Sequence, residues 1–171
     1  MKGIYLAAYK AHHPKYDIIY QDINGKRDIS GDMLDIDLTQ YDFIITTPPC
    51  NYYSRARGNR PPSQYAKDTM HLLPEIIIEL TGLHKPFIVE NVRNKNLFRR
   101  LGLFRLDCYV YEIGRHTYWT NHPFNPTNIK QINDFKTGGI RLHNFVEGGY
   151  NVHNIIEYWL EIIHSSPKTA P

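Results

Sequence analysis

Two side chains in this chain have types and positions suited to chemistry: the thiol of Cys50 and the carboxyl of Glu90. Each closes a short apolar run. Residues 42–46 (DFIIT) lead into Pro48-Pro49-Cys50, and residues 86–90 (PFIVE) lead into Asn91-Val92. Neither run alternates, as expected of strands covered on both faces. About 40 residues separate Cys50 from Glu90, enough for a loop, a helix and a return strand. A right-handed crossover makes the two strands parallel. Their carboxyl ends then share an edge of the sheet, where open α/β folds bind ligands. A thiol and a carboxyl on one edge suit covalent catalysis with acid assistance. Pro48 and Pro49 fix φ twice and remove two donors, which presents Cys50 rigidly. Taken singly, Cys50 reads as buried filler and Glu90 as a solvated charge; the pair is what points to chemistry.

The elements that must position this pair are readable in outline. Residues 2–7 and 17–21 read as strands rich in Ile and Tyr. The connection between them is too short for a helical crossover. Residues 63–80 show helical spacing in Tyr65, Met70, Leu73, Ile77 and Leu80. Ser63 serves as N-cap, Pro74 should kink or split the helix, and Gly82 should stop it. Residues 94–101 predict a short helix closed by Gly102. Residues 108–112 and 115–120 predict strands around Gly114. Residues 121–149 are polar and read mostly as loop. Residues 150–163 carry a stripe of Val152, Ile155, Ile156, Trp159, Leu160 and Ile163, the mark of a docked helix. Strand, helix and strand alternate, which predicts an α/β sheet with helices on its faces.

Composition sets bounds. A chain of 171 residues suits a single domain with one core, residues 1–171. Hydrophobic residues at 42 % and charged residues at 22 % exclude a disordered chain. The longest apolar runs, such as Ile76-Ile77-Ile78, are too short to span a membrane. No signal peptide is visible at the N-terminus. Cys50 and Cys108 show no framework spacing, which fits a reducing cytosol. The net charge of +3 permits a polyanionic partner without demanding one. The nine His match no metal-ligand spacing, so no metal is expected.

At this point a resemblance becomes specific. Thr46-Thr47-Pro48-Pro49-Cys50-Asn51-Tyr52-Tyr53-Ser54 resembles the Pro-Cys loop of DNA (cytosine-5)-methyltransferases. Phe87-Ile88-Val89-Glu90-Asn91-Val92 is similar to their Glu-Asn-Val motif. Arg115-His116-Thr117 resembles their Arg-x-Arg motif, with Thr in place of the second Arg. Gly149-Tyr150-Asn151-Val152 is similar to their final Gly-Asn-x-Val motif, and Gly31-Asp32-Met33-Leu34-Asp35 resembles the acidic segment ahead of the Pro-Cys loop. These segments stand in the family's order. Compact members of the family occur in bacteriophage and prophage genomes, and the chain looks most like those.

The resemblance implies a Rossmann-like methyltransferase sheet, mostly parallel, with helices on both faces and reduced at the N-terminus. It implies that Cys50 adds to carbon 6 of a flipped cytosine, that Glu90 holds or protonates ring nitrogen 3, and that Arg115 braces the intermediate. Carbon 5 then takes a methyl from S-adenosylmethionine. It places Asp22, Asp32, Met33, Pro48, Asn151 and Val152 at the cofactor, and Ser54, Arg55, Arg57, Asn91 and Thr117 at the base or the DNA. The implied setting is the cytoplasm of a bacterial host, with protection from restriction as the purpose.

Two departures follow from the same motifs. The family's glycine-rich cofactor loop is replaced by Leu6-Ala7-Ala8-Tyr9-Lys10, with no glycine between Gly3 and Gly25. The large recognition domain is replaced by residues 121–149. That suggests low sequence specificity, a partner subunit or a homo-oligomer. Two other readings stay open: a catalytically silent relative that binds DNA or protein, and a pyrimidine-modifying enzyme with a different cofactor.

Overall fold

Apolar segments separated by Gly, Pro and Asp punctuation become the strands of one six-stranded sheet. The computed structural model describes residues 1–8, 11–54, 56, 58–93, 108–126 and 152–166. The strands are β1 (Lys2–Leu6), β2 (Asp17–Tyr20), β3 (Phe43–Thr46), β4 (Phe87–Val92), β5 (Tyr109–Ile113) and β6 (His116–Thr120). Their order is β2-β1-β3-β4-β6-β5. The helices are α1 (Gln64–Asp68), α2 (Leu72–Gly82) and α3 (Val152–Ser165).

The sheet is an α/β sheet, but mixed rather than mostly parallel. β2, β1, β3 and β4 run parallel to one another, while β6 is antiparallel to both β4 and β5. The cause is local. Ile113 pairs with His116, so only Gly114 and Arg115 connect β5 to β6. A two-residue turn can join only antiparallel strands. Gly114 takes φ 59, the conformation such a turn needs.

Alternation along each strand separates two apolar layers. Ile4, Leu6, Ile44, Phe87 and Val89 pack with Leu73, Ile76, Ile77 and Leu80 of α2. Tyr5, Phe43, Ile45, Ile88 and Tyr118 pack with Ile155, Ile156, Trp159, Leu160 and Ile163 of α3. Helices therefore cover both faces, as expected. Each fully buried Ile or Leu contributes about 1.5–3 kcal/mol over exposure. Trp159 satisfies its buried indole N–H by donating to Thr120 Oγ1 at 3.1 Å. Phe43 lies so close across Gly3 that a Cβ there would meet its ring at 2.1 Å.

Several boundaries differ from expectation for physical reasons. Pro74 does not break the helix at its own position. The break falls between Asp68 and Leu72, and Pro74 sits in the first turn of α2, where no intrahelical N–H is required. Ser63 caps α1, its side chain accepting from Ala66 N at 3.2 Å. Gly82 is the last residue of α2 rather than its stop; the left-handed residue beyond it is His84, φ 53. β4 runs two residues past Glu90 because β6 continues to pair with it through Val92↔His116. Glu90-Asn91-Val92 is therefore strand, not loop. β1 ends at Leu6 because Ala7 turns away with φ 56. The connection from β1 to β2 shows no helix among its described residues. The helix expected at 94–101 and most of the loop expected at 121–149 lie outside the described residues.

Candidate active site

The parallel registers Tyr5↔Tyr20, Leu6↔Thr46 and Thr46↔Val89 bring the carboxyl ends of β1, β2, β3 and β4 to one edge. Ala7, Asp22, the Pro48-Pro49-Cys50 loop and Glu90 all leave the sheet there or stand at it. Cys50 opens a tight turn in which its carbonyl accepts from Tyr53 N at 3.0 Å and from Ser54 N at 2.9 Å. Tyr53 holds the far side of that turn through its hydroxyl, which donates to Met70 O, and through its ring, which joins the α2 core layer.

One buried hydrogen bond ties the two motifs together. Asn91 Nδ2 donates to Pro48 O at 2.9 Å, and Asn91 Oδ1 accepts from Val92 N at 2.9 Å. Pro48 lacks an N–H and its carbonyl has left the ladder, so this bond replaces a missing strand contact. Asn91, expected at the base or the DNA, is buried with both ends of its amide engaged, and it fastens the Cys50 loop.

Glu90 stands in β4 opposite Tyr118 of β6, on the α3 side of the sheet. Its side chain is 12 % exposed. Burial drives its carboxyl up to about 8. The His116 ring faces it, with Nε2 at 3.8 Å from Oε1. Burial also raises the Cys50 thiol, and the Glu90 charge raises it further. The phenols of Tyr5 and Tyr118 are raised in the same order, by burial and then by Glu90. A carboxyl, a thiol and two phenols thus share one poorly solvated neighbourhood. An ionised Glu90 disfavours a negative charge on each of the other three. The arrangement favours the protonated forms of both the Glu90 carboxyl and the Cys50 thiol.

The other expected site residues fall as follows. Arg115 is exposed on the β5–β6 turn, and its carbonyl accepts from Arg93 N at 2.6 Å. Thr117 is buried in β6 opposite Asn91, and its Oγ1 has no hydrogen-bond partner among the described residues. Ser54 is half-buried and accepts from Ala56 N at 3.2 Å. Asp22 is buried at the end of β2, with Oδ2 accepting from Asn24 N at 3.3 Å. Asp32 caps the short 3₁₀ turn Met33–Asp35, with Oδ1 accepting from Leu34 N at 3.0 Å, and Met33 is buried in the core. Val152 opens α3. Arg55, Arg57 and Asn151 lie outside the described residues. His116 is the neighbour of Glu90 that the motif reading passed over. Its signal was cross-strand register, which needs the pairing of β4 with β6.

The structure also addresses the missing glycine loop. Ala7, at the end of β1, adopts φ 56, the left-handed conformation that Gly takes freely. Its N–H donates to Gln21 Oε1 at 2.8 Å, and Ala8 N donates to Gln21 O at 2.8 Å. Gln21 Nε2 in turn donates to Gly31 O at 2.5 Å. The turn is held open toward the edge by Gln21 instead of by glycine.

The chain is 36 % identical over 87 residues to the Type II methyltransferase M1.HgaI of Avibacterium volantium, a span of 49 % of this chain and 24 % of that protein. No protein-family model matches the chain. The similarity supports a methyltransferase family, and the chain spans about a quarter of the length of the relative it matches. Among the described residues, no helix is long and apolar enough to cross a membrane.

Proposed function

We propose that the chain is a compact, phage-type DNA cytosine-5 methyltransferase domain. The observation that carries this reading is the buried Glu90 carboxyl at the same sheet edge as the Cys50 loop, which Asn91 fastens. A carboxyl titrating near 8 is roughly nine-tenths protonated at pH 7. It can therefore donate to ring nitrogen 3 of a cytosine that has left its duplex. That proton makes carbon 6 electrophilic. Cys50 gives its proton to water and its sulfur bonds to carbon 6, and the ring electrons gather at carbon 5. S-adenosylmethionine, when bound, supplies the methyl group that carbon 5 accepts. The carbon 5 proton then passes to water, the sulfur–carbon bond breaks, nitrogen 3 returns its proton to Glu90, and the thiolate regains a proton from water. Arg115, on the turn beside this edge, is suited to brace the base through its planar fork.

The edge also suits an adenosyl cofactor. Ala7 presents a left-handed turn at the end of β1, and Asp22 places a buried carboxylate at the end of β2. In this reading Asp22 holds ribose hydroxyls and Asp32 meets the adenine amine. Met33 and Pro48 line the site. Asn151 and Val152 approach the methionine end. Ser54, Arg55 and Arg57 contact the DNA backbone, and Thr117 supports the base from within β6.

The test is transfer of labelled methyl from S-adenosylmethionine to DNA by the chain, beside Cys50→Ser, with the modified base identified by mass spectrometry after digestion. The proposal expects 5-methylcytosine from the parent and none from Cys50→Ser. Methylation of an exocyclic nitrogen, or equal transfer by Cys50→Ser, overturns it. DNA binding without any transfer would instead favour a silent relative.

A further inference from the structure

A second cluster lies between the β1–β2 connection and α3. His13 Nδ1 is 3.6 Å from Glu157 Oε1, and His153 Nε2 is 3.9 Å from the same oxygen. The two imidazoles stack, with centroids 4.5 Å apart and planes 10° from parallel. One ligand atom from each of the three side chains lies within 4.8 Å of the others. His13 is 1 % exposed. Neither His13 Nδ1 nor Glu157 Oε2 has a hydrogen-bond partner among the described residues. A buried ring nitrogen and a buried carboxylate oxygen left unsatisfied together need an explanation. We propose that His13, His153 and Glu157 form a binding site for a divalent transition metal of the zinc class.

The donor set selects the ion. Two imidazole nitrogens and one carboxylate oxygen suit zinc and its neighbours, whereas magnesium and calcium prefer all-oxygen sites. Tetrahedral bonds of about 2.0–2.1 Å place ligand atoms ~3.3 Å apart. The separations to the Glu157 oxygen, 3.6 and 3.9 Å, are near that value. The two imidazoles are stacked, so the exposed His153 ring turns out of the stack on binding to bring both nitrogen lone pairs onto one ion. His153 and Glu157 stand four residues apart in α3, on one helix face. His13 is held in advance from the other side. Its backbone N–H donates to Tyr20 Oη at 2.7 Å, and its ring stacks on Tyr5 at 5.9 Å. Three protein ligands leave one position for water or a further group. The role that fits this placement is structural. The β1–β2 connection shows no helix among its described residues, and the metal fastens it to α3. This inference does not depend on methyl transfer.

The test uses the full chain, stripped with a chelator and titrated with zinc chloride against a chromophoric competitor. The expected result is one zinc per chain and a higher melting temperature with zinc than without. His153 is half exposed, so His153→Ala should fold normally, which circular dichroism checks. It should weaken binding by at least about tenfold and abolish the thermal shift. Glu157→Gln should do the same, while Cys50→Ser should bind as the parent does. Binding below one equivalent, or a His153→Ala protein that binds zinc as tightly as the parent, overturns the proposal.

Discussion

At the scale of single residues, the raised titration of Glu90 has a consequence for stability. Its folded carboxyl titrates near 8, against about 4.3 unfolded. The folded state therefore holds the proton more tightly. That stability is complete below about pH 4.3 and is lost as pH rises through about 8. Glu90→Gln removes this dependence. Thermal melts from pH 5 to 9 should show the variant close to the parent at low pH and clearly more stable than it above pH 8. Coincident melting curves across that range would mean that Glu90 is ionised in the fold. Asn91→Ala tests the fastening. It leaves the buried Pro48 carbonyl unpaired, which costs about 1–3 kcal/mol. If the proposed methyl transfer holds, it should also lower that activity by more than the loss of folded protein accounts for, since the Cys50 loop loses its anchor. Cys50 and Glu90 were legible in the sequence because strand order alone sends both to one edge. Asn91 and His116 were not, because their roles depend on partners across the sheet, Pro48 and Glu90. The cluster of His13, His153 and Glu157 was hidden in the same way, its members coming from opposite ends of the chain.

At the scale of elements, the turn at Ala7 invites a test. A left-handed residue with a Cβ costs about 1–2 kcal/mol, while glycine adds about 0.5–1 kcal/mol of unfolded-state entropy. Ala7→Gly should therefore stabilise the chain by up to about 1 kcal/mol in denaturant unfolding. If the cofactor reading is right, it should also tighten binding of S-adenosylmethionine in calorimetry. Ser63→Ala should destabilise by about 1 kcal/mol through loss of the α1 cap. The strands were legible because β3 and β4 are apolar without alternation, and the α3 stripe because its spacing is regular. The ends of the elements were less so. β4 is extended by β6, the break in the long helix falls ahead of Pro74, and the left-handed turn at Ala7 leaves no mark on an alanine.

At the scale of the molecule, a net charge of +3 on 171 residues limits how strongly the domain can hold a polyanion. If it binds DNA, anisotropy titrations across sodium chloride concentrations should give a shallow dependence, of fewer than about five phosphates at a slope of −0.9 each. A slope near −9 would mean that a larger basic surface is at work. The sheet is also mechanically uneven. β4 has β3 beside it as far as Val89, but from Glu90 to Val92 its pairing is with β6 alone. Among the described residues, that stretch is a cantilever braced within the sheet by the β5–β6 hairpin alone. Its stiffness therefore resides in the Gly114-Arg115 turn at the far end of the hairpin. Gly114→Val, which a backbone at φ 59 resists, should slacken the arm that carries Glu90. Faster hydrogen exchange at residues 90–92, with exchange in β1 and β3 unchanged, is the expected signature.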